Sequence, residues 1–320
     1  MNLDLNKVRC LVLGGNGFIG RNLCHALVAN GASVRCLTKH SIPVFGATER
    51  GWHTQIEWIH GSFSDAALIR ASLQDIDFVF HLISSTLPAT SNKDLLYDLT
   101  SNVLPTLQLL GAVRNSEVRK VIFVSSGGAI YGISKQMPVG EDDATNPISA
   151  YGIHKLAIEK YLELFRQQWK IDYGVLRVSN AYGVGQPINR SQGVIAQFVH
   201  KAVLREPLEV WGDGTVTRDF IHIADVIDAF LLLMHYEGAF RVFNIGSGQG
   251  HTLLQLISMI ETMIGEHVEL RFMEARSVDV STNVLNISRA KSELGWRPRM
   301  SLNAGIQQMV KDAQWCKAQR

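Results

Sequence analysis

Two side chains four residues apart carry the clearest chemistry in this sequence: Tyr151 and Lys155, in the segment Ser149-Ala-Tyr-Gly-Ile-His-Lys. The segment reads as the start of a helix, where residues i and i+4 share a face, so phenol and ammonium are neighbours. A phenol at its reference value near 10 is a poor base at neutral pH. Lowering it by roughly 3 units takes about 4 kcal/mol of differential stabilisation. One ammonium about 4 Å away, at an effective dielectric near 20, supplies on the order of 4 kcal/mol. The spacing therefore predicts that Lys155 alone can tune Tyr151 as a general acid/base. Tyr-x-x-x-Lys is also common on amphipathic helices that do no chemistry, so the elements around it decide.

Those elements start near the N-terminus. Cys10 to Leu13 is a short apolar run, read as a strand buried on both faces, and it stops at Gly14-Gly-Asn-Gly17-Phe18-Ile19-Gly20 before an apolar-periodic segment ending near Gly31. In a strand-turn-helix unit with glycines three apart, the first permits the turn, the second lets backbone approach a pyrophosphate and the third lets helix and strand pack closely. Phosphate then rests on the N–H groups of the helix N-terminus, which makes Gly14, Gly17, Phe18, Ile19 and Gly20 candidate dinucleotide contacts. A second strand, Ser33 to Leu37, follows. Where dinucleotide-binding units carry a carboxylate for the ribose hydroxyls, this chain has Thr38 and then Lys39. Two readings stand: Lys39 attracts a 2′-phosphate, making NADP a possible cofactor beside NAD, or Thr38 bonds a ribose hydroxyl and Lys39 is a solvated surface charge.

Further strands are predicted at Ile56 to His60, Asp77 to Ile83 and Lys120 to Ser126, with Asp65 capping a helix and a long helix over residues 94 to 115. Strand ends face the ligand crevice in a doubly wound sheet, which places Leu82 and Ser84 beside the cofactor and Ser126 beside the reacting centre. His81, inside an apolar run, reads as a core histidine. Asn102 reaches the strand ends or only packs. The chain has 46% hydrophobic and 19% charged residues over 320 positions, as an ordinary globular protein does. A net charge of +2, from 31 basic and 29 acidic residues, leaves no basic stripe for nucleic acid. No apolar run approaches a membrane span, and the N-terminal MNLDLNK lacks a cationic segment followed by an apolar core, so a cytoplasmic location is expected. Cys10, Cys24 and Cys36 fall inside apolar elements and read as small buried hydrophobes; no metal-ligand spacing is present.

The ordered set GGNGFIG, HLISS, SSGGAIYG, Tyr151/Lys155, RVSNAYG, WGDGTVTRDFIHIADV, VFNIGSG, RSVDV and LGWRP runs nearly end to end. It resembles the extended short-chain dehydrogenases/reductases, in the nucleotide-sugar epimerase/dehydratase branch. That resemblance implies an α/β fold: a Rossmann-type doubly wound parallel sheet over residues 1–178, to which 240–248 returns, and a smaller C-terminal lobe over 179–320. It also implies that Tyr151 is the acid/base and Lys155 its tuner and ribose anchor. Thr86 and Ser126 are implied near the sugar, Asn180 and Arg218 on the substrate diphosphate, and Arg276 and Asp279 on nucleotide phosphate and ribose. A homodimer through helices 94–115 and 150–169 is implied as well. Three departures stand out. The usual Ser or Thr four residues before the tyrosine of the YG dipeptide is Gly127, so Ser126, Ser125 or water must replace its hydroxyl. The Asp-Glu pair of the dehydratases is Gly128 and Ala129. Ser62 stands where an Asp usually follows the glycine of GSFSD. The expected activity is a nucleotide-sugar 4-epimerase with bound NAD. An NADP(H)-dependent 4-keto-sugar reductase and a non-catalytic dinucleotide sensor are the alternatives.

Overall fold

The computed structural model describes residues 4–39, 51–134, 136–188, 193–274 and 280–318. They fall into two compact units, one of Met1–Ser126, Ser149–Arg177 and Ile227–Val242, the other of Gly127–Ile148, Val178–Val226 and Phe243–Arg320.

In the first unit β1 (Arg9–Leu13) runs into α1 (Phe18–Ala29), which Gly31 ends with a left-handed backbone at φ 91°. Next come β2 (Ser33–Thr38), β3 (Ile56–His60), α2 (Ala66–Ser72) and β4 (Phe78–His81). Asp65 caps α2 as expected, accepting from the N–H groups of Ala67 at 2.9 Å and Leu68 at 3.0 Å. The predicted helix over 94–115 is broken into α3 (Leu95–Asp98), a π-helical turn (Leu99–Val103) and α4 (Leu104–Val113). β5 (Lys120–Ser126), α5 (Ala150–Trp169) and β6 (Asp172–Val178) complete the run. The seven-stranded sheet has the order β10-β6-β5-β4-β1-β2-β3, with β10 at Val242–Ile245. β2–β3, β1–β2, β1–β4 and β4–β5 all pair in parallel, which sets the strand ends that carry Gly14, Leu82 and Ser126 along one edge. Its core joins Leu11, Leu13, Val79, Val121 and Phe123 of the strands to Leu109, Leu110, Ile158 and Leu162 of the helices. Cys10, Cys24 and Cys36 are buried free thiols, in keeping with their apolar flanks.

In the second unit β9 (Thr217–His222) is the hub. β7 (Asn180–Tyr182) and β13 (Thr282–Asn283) pair with it in parallel and β11 (Gly250–Thr252) antiparallel. β8 (Leu208–Trp211) pairs separately with β12 (Leu270–Met273). α6 (Val194–Leu204), α8 (Leu253–Ile264) and α10 (Leu302–Ala318) enclose a core of Phe198, Val199, Leu256, Ile260, Ile306 and Val310. α8 starts on a capping box, Thr252 with Gln255. The GWRP segment, between α9 (Ser288–Glu293) and α10, is pinned where Trp296 donates to the Asp225 carbonyl at 2.8 Å and Arg299 N–H to the Asp225 carboxylate at 2.9 Å. The remaining helix, α7 (Ile223–Met234), ends on a lysine from β5: Lys120 Nζ donates to the carbonyls of Leu233, Met234 and Tyr236 at 3.2, 3.3 and 2.6 Å.

Candidate active site

The glycine turn is packed from beneath, which is why glycines are needed there. Gly14 turns at φ 89°, and a Cβ on Gly20 would lie 2.2 Å from the Gly14 carbonyl oxygen. A Cβ on Gly15 would lie 2.3 Å from Cys36 Sγ. Gly17 stands at the N-cap of α1 with no side chain to accept from the first-turn N–H groups, so those of Phe18 and Ile19 are left for an anion. This backbone-only cradle fits a dinucleotide pyrophosphate. Thr38 is buried at the end of β2 and Lys39 is exposed just beyond it.

Ser149 caps α5 through a hydrogen bond from Gly152 N–H at 3.2 Å and so fixes the first turn, which carries the candidate pair. The Ser126 side chain, at the end of β5, lies toward the Tyr151 phenol and favours its ionised form. Ser125 points elsewhere: its hydroxyl donates to Glu159 at 2.5 Å, and Glu159 is held by Arg177 at 2.7 Å. Of the two serines, Ser126 is therefore the one beside the phenol. Lys155 is buried at 1% exposure, donates to the Val124 carbonyl at 3.0 Å, and lies 4.7 Å from the Phe123 ring centroid and 5.7 Å from that of Tyr151.

This geometry corrects one expectation. Lys155 alone does not bring Tyr151 down. Burial pushes the phenol up to about 12, against the pull of Ser126 and with a further push from the Asp98 carboxylate. Burial likewise pulls Lys155 down to about 7, opposed by Glu159 and Asp98. The ammonium lies over the ring and spends a proton on the Val124 carbonyl, while desolvation of both groups outweighs their attraction. A phenolate here needs a further positive charge.

Sequence reading missed the polar cluster behind this pair. Asp98, at 3% exposure, accepts from His154 Nδ1 at 2.9 Å and from the Thr86 hydroxyl. Asn102 donates to Thr86 Oγ1 at 3.3 Å and to the Asp98 carbonyl at 2.8 Å, and accepts from Ser85 N–H at 2.8 Å, so it does reach the strand end. Ser84 bonds the Thr86 carbonyl at 3.0 Å, and Leu82 N–H bonds the Leu13 carbonyl at 3.0 Å. The signal for this cluster was Pro105, which interrupts the helix that bears it. His81 is the core histidine expected: 2% exposed, 2.8 Å from Thr106 Oγ1, and pulled down to about 3 by burial.

In the second unit Asn180 donates to the Asp219 carbonyl at 2.9 Å, and Arg218 to the carbonyls of Thr217 at 3.0 Å and Val280 at 2.6 Å. Both lie on the β7–β9 pair. Arg276 and Asp279 lie outside the described residues. Gly127 bonds Val178 through its N–H at 2.9 Å, and its carbonyl accepts from Asn283 at 3.1 Å. Among the described residues no group of side chains could hold a metal ion, and no helix is long and apolar enough to cross a membrane.

Comparison with known proteins places this site in a family. The model of the NAD dependent epimerase/dehydratase family matches residues 10–246. The chain belongs to that family. One member, the UDP-glucose 4-epimerase of Mycolicibacterium smegmatis, is 32% identical over 95% of this chain and 97% of its own. A dTDP-4-dehydro-6-deoxyglucose reductase of Escherichia coli is also 32% identical, over 98% of this chain and all of its own. The UDP-glucose 4-epimerase of Thermotoga maritima, solved with UDP-glucose, superposes with a TM-score of 0.90 at 34% identity, covering 98% of this chain and 100% of that one. The seven-stranded parallel sheet is thus the Rossmann-type sheet of an NAD-dependent family.

Proposed function

We propose that the protein is a nucleotide-sugar 4-epimerase, acting on a UDP-hexose or UDP-N-acetylhexosamine through a transient 4-keto sugar with NAD retained. The observation that carries the reading is the phenol of Tyr151, beside Ser126 and with buried Lys155 one turn on and 5.7 Å from its ring centroid, at the sheet edge that carries the glycine turn. NAD, held by the glycine turn, would supply a reversible hydride acceptor for C4 and, in its oxidised form, positive charge. The chain's own groups do the rest. The N–H groups of Phe18 and Ile19 hold pyrophosphate. Tyr151 takes the proton of the C4 hydroxyl and later gives it back, with Ser126 donating to the same oxygen. Lys155, in its protonated form, supplies positive charge beside the phenol. Thr86, Asn180, Arg218, Arg276 and Asp279 are assigned to the sugar nucleotide, where forked guanidinium donors suit a diphosphate.

A second reading, a 4-keto-sugar reductase, is favoured by the E. coli relative and by Thr38 and Lys39 in place of a ribose carboxylate. Extracting the bound nucleotide, then incubating the protein with UDP-glucose and UDP-N-acetylglucosamine without added cofactor, separates the two. Interconversion at C4 is expected. Turnover only of a keto sugar with added NADPH would establish the reductase.

A homodimer belongs to the same proposal. Leu95, Leu96, Leu99 and Leu104 are 64, 71, 51 and 49% exposed on one helical run, and Ile153 and Leu164 are exposed on α5. An apolar face of that extent suits a second copy of this chain. Light scattering on the purified protein is expected to give twice the chain mass, and a monomer would count against it.

A further inference from the structure

We propose that Asp98 is a positioning residue for the Tyr151–Lys155 pair: its buried carboxylate, locked by His154 and Thr86, is the fixed negative charge against which phenol and ammonium set their protonation. The proposal rests on the reading of Tyr151 and Lys155 as the acid/base pair.

The backbone that delivers Asp98 is irregular for a reason legible in the chain. Pro105 has no N–H for the Ser101 carbonyl, and its ring crowds that carbonyl. The helix responds with the π turn over Leu99–Val103, in which Leu104 N–H reaches back five residues to the Leu99 carbonyl. The freed carbonyls are taken by side chains: Ser101 O accepts from the Ser85 hydroxyl at 3.3 Å, and Asp98 O from Asn102 Nδ2 at 2.8 Å. The loop after β4 is thereby clamped to the turn, and Asp98 is held in the interior.

The Asp98 carboxylate grips the residue between the two candidate groups. His154 Nδ1 lies 3.0 and 2.9 Å from its two oxygens, and the His154 ring stands edge-on to Tyr151 with centroids 5.1 Å apart. Lys155 is the next residue. Burial and Lys155 pull His154 down to about 4, so its ring is neutral near pH 7 and holds the carboxylate without cancelling its charge. Among the described residues, the other charged or titratable groups facing this spot come from α5, β4 and β6. α5 contributes Tyr151, Lys155 and Glu159, the last paired with Arg177 of β6 and still favouring the Lys155 ammonium, and β4 contributes His81, which burial keeps neutral. Glu159 and then Asp98 favour the Lys155 ammonium against burial, and of the two only Asp98 also opposes ionisation of Tyr151. The phenol stays protonated until positive charge enters.

The test is a tyrosinate absorbance titration of the NAD-loaded protein, with the Tyr151→Phe protein subtracted to isolate one phenol. Asp98→Asn is expected to move that titration down by about one pH unit, the scale of one charge removed at an effective dielectric near 20. The acid limb of the pH profile for C4 interconversion should move with it, and Asp98→Glu should restore both. Asp98→Ser removes the same charge should the Asn variant fail to fold. His154→Gln keeps the carboxylate, so it should lower kcat with the titration left in place. Charge-removing variants that titrate with the wild type, or a His154→Gln shift as large as that of Asp98→Asn, would overturn the proposal. If no nucleotide sugar is turned over, the epimerase reading fails, and the titration still decides the role of Asp98.

Discussion

Asp98 in the first unit and Asp219 in the second are both buried carboxylates, and the two are held differently. Asp219, with no exposed surface, accepts from the N–H groups of Ser247, Gly248 and Leu285 at 2.7, 3.1 and 3.3 Å and from the Ser247 hydroxyl at 2.7 Å. Burial pushes it up and those donors pull it back. Gly246 is required beside it, since a Cβ there would lie 2.4 Å from Asp219 Oδ2. This carboxylate ties the loop after β10 and the strand end at Leu285 to β9. Asp98 instead receives two side-chain donors, and its charge acts on Tyr151 and Lys155. Backbone donors make a carboxylate a fastener, while a few side-chain donors leave its field for neighbouring groups.

Substitutions can break that contrast. Asp219→Ala strands several buried N–H groups and is expected to destabilise the protein by about 4 kcal/mol, read by denaturant unfolding. A cost near zero would remove the fastener role. Lys155→Met removes the ammonium from the other cluster and should lower turnover by roughly a hundredfold while the protein remains folded, checked by kcat beside a melting curve. A loss of stability with unchanged kcat would reverse the assignment.

Acidification should find the first unit. His81 and His154 titrate at about 3 and about 4 folded, against 6.5 unfolded, so the unfolded chain binds more protons below pH 6.5. Stability from these two groups is full above about 6.5 and lost as the pH falls toward 4 and 3. The melting temperature should drop over that window, and less steeply in His81→Leu. The smallest expected effect is at a helix end of the second unit: Thr252→Ala removes half of the capping box on α8 and should cost about 1 kcal/mol by the same unfolding assay.

Much of the first unit could be read from the chain because its strands are continuous apolar runs and its turns are glycines that a Cβ would crowd. β3 and β5 have the predicted ends, and β4 is shorter at each end than the run Asp77 to Ile83 suggests. Not predicted were the strand of Asp172–Val178 in the first unit and, in the second, the helix of Leu253–Ile264, although Thr252-x-x-Gln255 before an apolar run is a legible start signal. Leu95, Leu96 and Leu99 match helical spacing and still face outward, because spacing defines a stripe and not what covers it. The candidate pair could be named from Tyr151 and Lys155 alone, whereas its electrostatics could not. Sequence spacing says that two groups share a helix face, but burial, the Val124 carbonyl and Asp98 set their proton affinities.

The claim that Tyr151 moves the C4 proton is tested most directly in a single turnover. The NAD-loaded protein is mixed with a UDP-hexose, and reduced nicotinamide is followed by absorbance in the wild type and in Tyr151→Phe. The wild type should form it, and the variant should do so at least a thousandfold more slowly with its cofactor content unchanged. Equal rates in the two proteins would contradict the account.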